Sequence, residues 1–277
     1  MRTNTKLSTD LLDYYRQIST EVFTVVDLET TGARGSSDRI IEISVLQATL
    51  KDGIIQISTD LINPQILIPE QIVRFTGISQ KMVDCAESAD QVLPNYLPML
   101  QSGILTAHNL GFDYSFLQAE YRRLGVDFKA SAQLCTVELS RLLLANLQSR
   151  SLPKLVKHFG FNVGKSHRAE SDAIACWLLL EKLLIQMQTA DDDEILEMFG
   201  QQWLCAKDIS VILQLPLSEV EVLLTETSIK SRFSRHREIN LYQRKGAETL
   251  KPKDLSRTRS LRYISLGFKF SLAYLLC

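Results

Sequence analysis

The sequence predicts an α/β fold, and three stretches carry that prediction. Residues 21–30, EVFTVVDLET, are rich in Val, Phe and Thr and run into a Thr-Thr-Gly turn signal, which marks a strand. ILTAHN at 104–109 is a second short apolar run, and FDYSFLQAEYRRLG after it reads as a helix. RAESDAIACWLLLEKLL at 168–184 carries the strongest helical periodicity in the chain.

Each of these stretches holds an acid among apolar residues. Side chains alternate along a strand, so Asp27 and Glu29 share one face, roughly 7 Å apart at 3.3 Å rise per residue. Counting by three and four from Asp113 reaches Phe116, Leu117, Glu120, Tyr121 and Leu124, a mostly apolar stripe that turns Asp113 toward the sheet. Asp172 shares a helix face with Ala175, Cys176, Leu179 and Leu180. His167 lies five residues before Asp172, about 140° away around a helix, and Gly164 precedes it in a polar stretch. That places it on a loop at the helix entrance, which suits a proton-transfer group titrating near pH 6.5 in free solution.

Ionised carboxylates among apolar residues are costly unless something compensates them, and no basic residue is placed to neutralise all four. Convergence on divalent cations is the economical explanation, and it makes the chain a candidate metal-dependent nuclease. An all-carboxylate set without Cys or paired His selects hard ions, so two Mg²⁺ or Mn²⁺ ions are expected rather than zinc. Asp27 takes the bridging position, Glu29 and Asp172 complete one shell, Asp113 supports the second ion, and His167 deprotonates the attacking water. The expected product is a nucleoside 5′-monophosphate.

The pattern Asp27-x-Glu29, then Asn109-x-x-Phe112-Asp113, then His167-x-x-x-x-Asp172 resembles the DEDDh class of 3′ to 5′ exonucleases, and within it the epsilon proofreading subunits of bacterial DNA polymerase III. IPEQIVRFTGISQKMV and SLPKLVKHFGF are similar to that family's segments before the second motif and before the histidine. The resemblance covers about residues 20 to 188. It implies an RNase H-like mixed sheet flanked by helices, two-metal hydrolysis and a single-stranded 3′ terminus as substrate. It also implies that the backbone around Leu28, Thr30 and Thr31 approaches the terminal nucleotide and that Asn109 belongs to the substrate-binding set. Thr76 stands where those subunits carry a substrate-contacting histidine.

Taken singly, these motifs have plainer readings: a solvated strand-end pair for Asp27 and Glu29, a helix N-terminal acid for Asp113, a loop histidine for His167, a cap for Asp172. Their joint order and spacing argue against coincidence. His108 ends an apolar strand and should be satisfied by local hydrogen bonds, whereas His158 should be solvated on a basic helix. Five cysteines without a C-x-x-C pair fit a reducing compartment, and the N-terminus lacks an apolar leader core, so cytoplasm is expected. Residues 228–277 carry 12 Lys or Arg against 3 Asp or Glu, a net of +9, which leaves −10 for residues 1–227 of a chain whose formal total is −1. The basic end could restore attraction to nucleic acid that the acidic part repels, or be a solvated tail.

The expected organisation is an N-terminal extension at 1–19, the catalytic domain at 20–188, a small helix-turn-helix-like module at 195–245, and a basic then apolar tail at 246–277. The acidic run TADDDE at 189–194 marks the boundary. In the module, Ser218 and Glu221 suggest a capping box, and Val220, Leu223 and Leu224 an apolar face. Glu219, Glu221 and Glu226 would face phosphates in a groove, which favours a packing or protein-contact role over base reading. QLPLS at 214–218 resembles the short Gln-Leu-x-Leu segments that bacterial proteins insert into the sliding clamp, although Leu215 and Leu217 also read as core residues flanking a turn. The last 15 residues are apolar but interrupted by Lys269, short of the ~20 needed to span a bilayer, so no membrane association is expected. DNA is the expected substrate, with a DNA polymerase subunit or the sliding clamp as partner in proofreading or repair. The rivals are an RNA-trimming exonuclease of the same chemistry and a nucleic-acid-binding regulatory module.

Overall fold

The structure, a computed structural model, describes residues 6–164, 166–235 and 237–250. The tail expectations, including most of the +9 segment, Lys269 and the apolar end, lie outside the described residues.

A five-stranded mixed sheet organises the larger part. β1 (Phe23–Thr30), β2 (Ile40–Thr49) and β3 (Gly53–Leu61) pair antiparallel in sequence order, while β4 (Ile104–Ala107) and β5 (Ala132–Cys135) continue parallel on the other side of β1, giving the order β3-β2-β1-β4-β5. β1 is buried along nearly its whole length because helices cover both faces, which is why it reads as a near-continuous apolar run. Entry to β4 requires glycine: Gly103 has φ +69°, and a Cβ there would lie 2.5 Å from the Val22 carbonyl oxygen.

On one face Phe23, Val25, Leu46 and Ala48 pack against α1 (Ser8–Ile18), α6 (Thr136–Leu143), α7 (Leu152–Phe159), α8 (Ala169–Thr189) and α9 (Asp192–Gly200). On the other, Val26, Leu28, Ile43 and Val45 pack against α4 (Ala89–Gln101) and α5 (Leu110–Arg123). Two short helices, α2 (Glu70–Thr76) and α3 (Gln80–Asp84), bridge β3 to α4. This is the RNase H-like architecture that the sequence predicts.

Two expected boundaries shift. The N-terminal extension is part of the core, since α1 buries Leu11, Leu12, Tyr15 and Ile18 in it. The acidic run 189–194, expected to mark the domain boundary, lies inside the core region instead: α9 begins within it at Asp192, pairs Asp192 with Arg16, and sinks Ile195 and Phe199 into the same core. Acids in a first helical turn favour the helix N-terminus, so a run read as a boundary starts a helix instead.

Beyond Gly200 lie α10 (Ala206–Leu213) and α11 (Leu217–Glu226). They share a small core of Leu204, Ile209, Ile212, Val220, Leu223 and Leu224 with Ala247 of α12 (Arg244–Ala247). The module also contains an antiparallel sheet of β6 (Trp203–Leu204), β7 (Ser231–Ser234) and β8 (Ile239–Gln243), in the order β6-β8-β7. The sequence does not announce it, because its strands are two to five residues long and mostly exposed. The capping box expected of Ser218 and Glu221 does not form: Pro216 is the N-cap residue of α11 and no side chain caps it. Leu215 packs on the module core while Leu217 is exposed. Among the described residues no helix is long and apolar enough to cross a membrane.

Candidate active site

Alternation along β1 places Asp27 and Glu29 on the face that carries Phe23 and Val25, which is the face α8 covers. Asp172, in the first turn of α8, therefore meets them, and one carboxylate oxygen from each of the three lies within 4.8 Å of the others. Asp113 arrives from the opposite layer. β4 pairs with β1 only as far as Val25, so the end of α5 can reach past it to the middle of β1. There Asp113 is buried and accepts hydrogen bonds from the backbone amide of Leu28 and from its own amide.

The electrostatics follow first from burial and then from crowding. Burial raises Asp27 well above the usual carboxylate range, and the charges of Asp113, Asp172, Glu29 and Glu42 raise it further. Burial, then Asp172 and Glu42, push Glu29 up to about 8, with Arg168 opposing them. Asp113 is pushed up to about 8, chiefly by burial. Asp172 is raised by burial and partly relieved by the amide of His167. Four buried acids that resist ionisation form a candidate site for divalent cations, which would remove the penalty.

The His167 backbone has φ +63°, a strained conformation for a non-glycine residue, and its amide donates to Asp172 Oδ2 at 3.0 Å. Its ring rests on Phe75 of α2 with centroids 3.8 Å apart. His167, Phe75, Thr76, His108 and the acids line a pocket of about 420 Å³.

The other expected substrate residues divide. Leu28 and Thr30 line this pocket. Thr31 does not; its amide and hydroxyl bond to the backbone of Arg39 and hold the turn after β1. Thr76 lines the pocket, but its hydroxyl donates to the Ile72 carbonyl and accepts from the Ile78 amide, and the aromatic face offered from α2 belongs to Phe75. Asn109, in the left-handed region at φ +80°, opens instead onto a neighbouring cleft. His108 is a local structural residue as expected. Its ring nitrogens bond to Thr136 Oγ1 and the Arg150 carbonyl, both at 2.9 Å, and burial holds it down at about 4, so it is neutral at physiological pH. His158 is exposed on α7.

Sequence reasoning missed Glu42 and Arg168. Glu42 sits opposite Glu29 in the β1–β2 register and is buried. It accepts from Arg168 and, at 2.9 Å, from the Ala169 amide that opens α8. One carboxylate thus fixes the entrance of α8, immediately beside His167. The signal was available, because Glu42 is an acid inside the apolar run IIEISV, but its use depends on strand register.

The fold is of the RNase H-like class. The chain belongs to the RNase T exonuclease family, whose model matches residues 24–180, more than half of its length. It is 31% identical over 213 residues to the PolC-type DNA polymerase III of Clostridium perfringens, covering 76% of this chain. With the PolC-type polymerase of Caldanaerobacter subterraneus it shares 33% identity over 204 residues, 74% of the chain. The chain spans only 14% of the length of each of those relatives. Among solved structures, E. coli Exonuclease I in complex with a dT13 oligonucleotide superposes with a TM-score of 0.54 at 16% identity, covering 59% of this chain and 41% of that one. Cell-death related nuclease 4 gives a TM-score of 0.52 at 14% identity, with 61% and 65% covered. These last two show likeness of fold.

Proposed function

We propose that this chain is a divalent-metal-dependent 3′ to 5′ exonuclease that releases nucleoside 5′-monophosphates from single-stranded DNA ends, in proofreading or repair. The observation that carries the reading is the convergence of Asp27, Glu29 and Asp172 within 4.8 Å, with Asp113 buried beside them. Kinship to PolC-type polymerases supports DNA as substrate and a polymerase as partner.

Asp27, Glu29, Asp172 and Asp113 would hold two Mg²⁺ or Mn²⁺ ions, which neutralise charge developing on the attacking and leaving oxygens. The residues of the chain do the rest. His167 accepts the proton of the attacking water, and its reach is set by the amide bond to Asp172 on one side and the Arg168–Glu42 pair on the other. Phe75 and Leu28 flank the pocket with apolar surface that a terminal base or sugar can pack on.

The test is degradation of matched DNA and RNA oligonucleotides, labelled at either end, with Mg²⁺, Mn²⁺ or chelator. Stepwise shortening from the 3′ end of DNA, abolished by chelator, is expected. Metal-independent cleavage or shortening from the 5′ end would overturn the proposal, and a preference for RNA would reassign the substrate.

A further inference from the structure

A second concavity, a cleft of about 730 Å³, lies between the nuclease domain and the C-terminal module. Arg141 and Arg150 border it from the nuclease side, and Arg232 and Arg237 from the module's β7–β8 hairpin. The acids on its rim are Glu138 and Asp208, and Asp208 is turned to Cys205, whose amide and Sγ it accepts from in capping α10. Four guanidinium groups thus face two carboxylates. Arg141, Arg232 and Arg237 are exposed and form no ion pair among the described residues.

The cleft adjoins the acidic pocket. Asn109, Leu110 and Gly111 line the cleft, while His108, Phe112 and Asp113 line the pocket, so the two open on either side of one short segment. Arg150 ties them together, since its carbonyl bonds to His108 while its guanidinium borders the cleft. Arg232 is fixed over the Trp203 ring, 4.4 Å from its centroid, which orients a planar cation where a strand would run.

Building on the nuclease reading, we propose that this cleft binds the sugar-phosphate backbone of the single-stranded substrate upstream of the nucleotide being removed. A phosphodiester chain is the ligand whose charge repeats at a spacing that several arginines along one groove can meet, and guanidinium forks match phosphate oxygens two at a time. The surroundings of Arg150 agree with this. The Arg150 guanidinium is held by hydrogen bonds from Nη2 to the Leu144 and Ala145 carbonyls at 2.8 and 2.7 Å, its Nε is buried without a partner, and burial, followed by the charges of Arg141 and Arg232, lowers it. A bound polyanion would relieve that repulsion. The arrangement also gives the C-terminal module a task, because an acidic pocket alone repels the strand it has to cut.

The experiment measures binding of labelled single-stranded DNA to the full chain with Ca²⁺ in place of Mg²⁺, using a trinucleotide and an oligonucleotide of about twelve nucleotides. The double variant Arg141→Ser, Arg237→Ser alters two exposed side chains, and Arg232→Lys keeps charge at the third position. We expect the double variant to lose at least tenfold in affinity for the longer strand and far less for the trinucleotide. Its slope of log affinity against log salt should become shallower by about 1.4, two phosphate contacts at roughly 0.7 each. Arg232→Lys should keep most of the affinity. Equal losses at both lengths, an unchanged slope, or displacement of the longer strand by polyglutamate as readily as by DNA would overturn the cleft assignment. Hydrolysis of a small chromogenic nucleoside phosphodiester, measured separately, reports on the acidic pocket alone. Its failure would strike the nuclease reading and leave the length-dependent binding to decide the cleft.

Discussion

Asp27 is the residue whose environment is least tolerable without a cation, being raised by burial and by four neighbouring acids. Asp27→Ala should therefore abolish hydrolysis, leaving under about one hundredth of the wild-type rate in saturating Mg²⁺, while the metal-free protein melts at the same or a higher temperature. A mutant that stays active would remove Asp27 from the mechanism. Glu29 and Asp113, at about 8 in the metal-free fold against roughly 4 in an unfolded chain, bind more protons folded than unfolded between those values. Metal-free stability should fall as pH rises through that window, and the gap in Tm between Mg²⁺-loaded and chelated protein should widen from about pH 5 to about pH 8. A gap independent of pH would contradict this origin of the shifts. Glu42→Gln keeps the shape but removes the charge that holds Arg168. Turnover should drop about tenfold or more with KM little altered, because His167 loses its anchor, and kcat equal to wild type would show that the anchor is dispensable. The four acids were legible from the sequence because each sits at a periodic position in a patterned segment, and His167 only through its fixed spacing from Asp172 in the motif. Glu42, Arg168 and Phe75 were not, since their roles arise from strand register and from a ring contact between elements distant in sequence.

At the scale of elements, α5 and α8 follow directly from their apolar periodicity, and β1 from its β-branched run. α9 shows the limit of such reading. Its acidic start reads as a domain boundary, yet Phe199 is fully buried in the core that includes α1, α6 and α8. Phe199→Ala should destabilise the protein by about 3–5 kcal/mol, measured as a shift of the urea midpoint at constant m. A chain ending at residue 190 should be markedly less stable than one ending at 200, because only the second retains Ile195 and Phe199. Equal midpoints would mean that α9 contributes nothing to the nuclease core.

At the scale of the whole molecule, the module is locked to the N-terminus through Arg244, whose side chain is fully buried. It donates to Gln202 Oε1 at 2.9 Å and to the Lys6 carbonyl at 2.8 Å and pairs with Glu248, which in turn accepts from the Ser8 amide and hydroxyl. Arg244→Met should cost about 3 kcal/mol and speed proteolysis near residues 201–205, because Glu248 and the other acceptors lose their shared donor. An unchanged cleavage rate would show that the module stays docked without it. The sequence by itself determined the α/β class, the helices that carry Asp113 and Asp172, and which acids and histidine to look for at a candidate site, since periodicity, composition and motif spacing are local properties. Only the tertiary structure decided that α1 and α9 complete the core, that Glu42 anchors the loop of His167, that short exposed strands give the module a sheet, and that four arginines from two parts of the chain face one cleft. These depend on which segments meet, and pairings across long stretches of chain leave no local pattern to read.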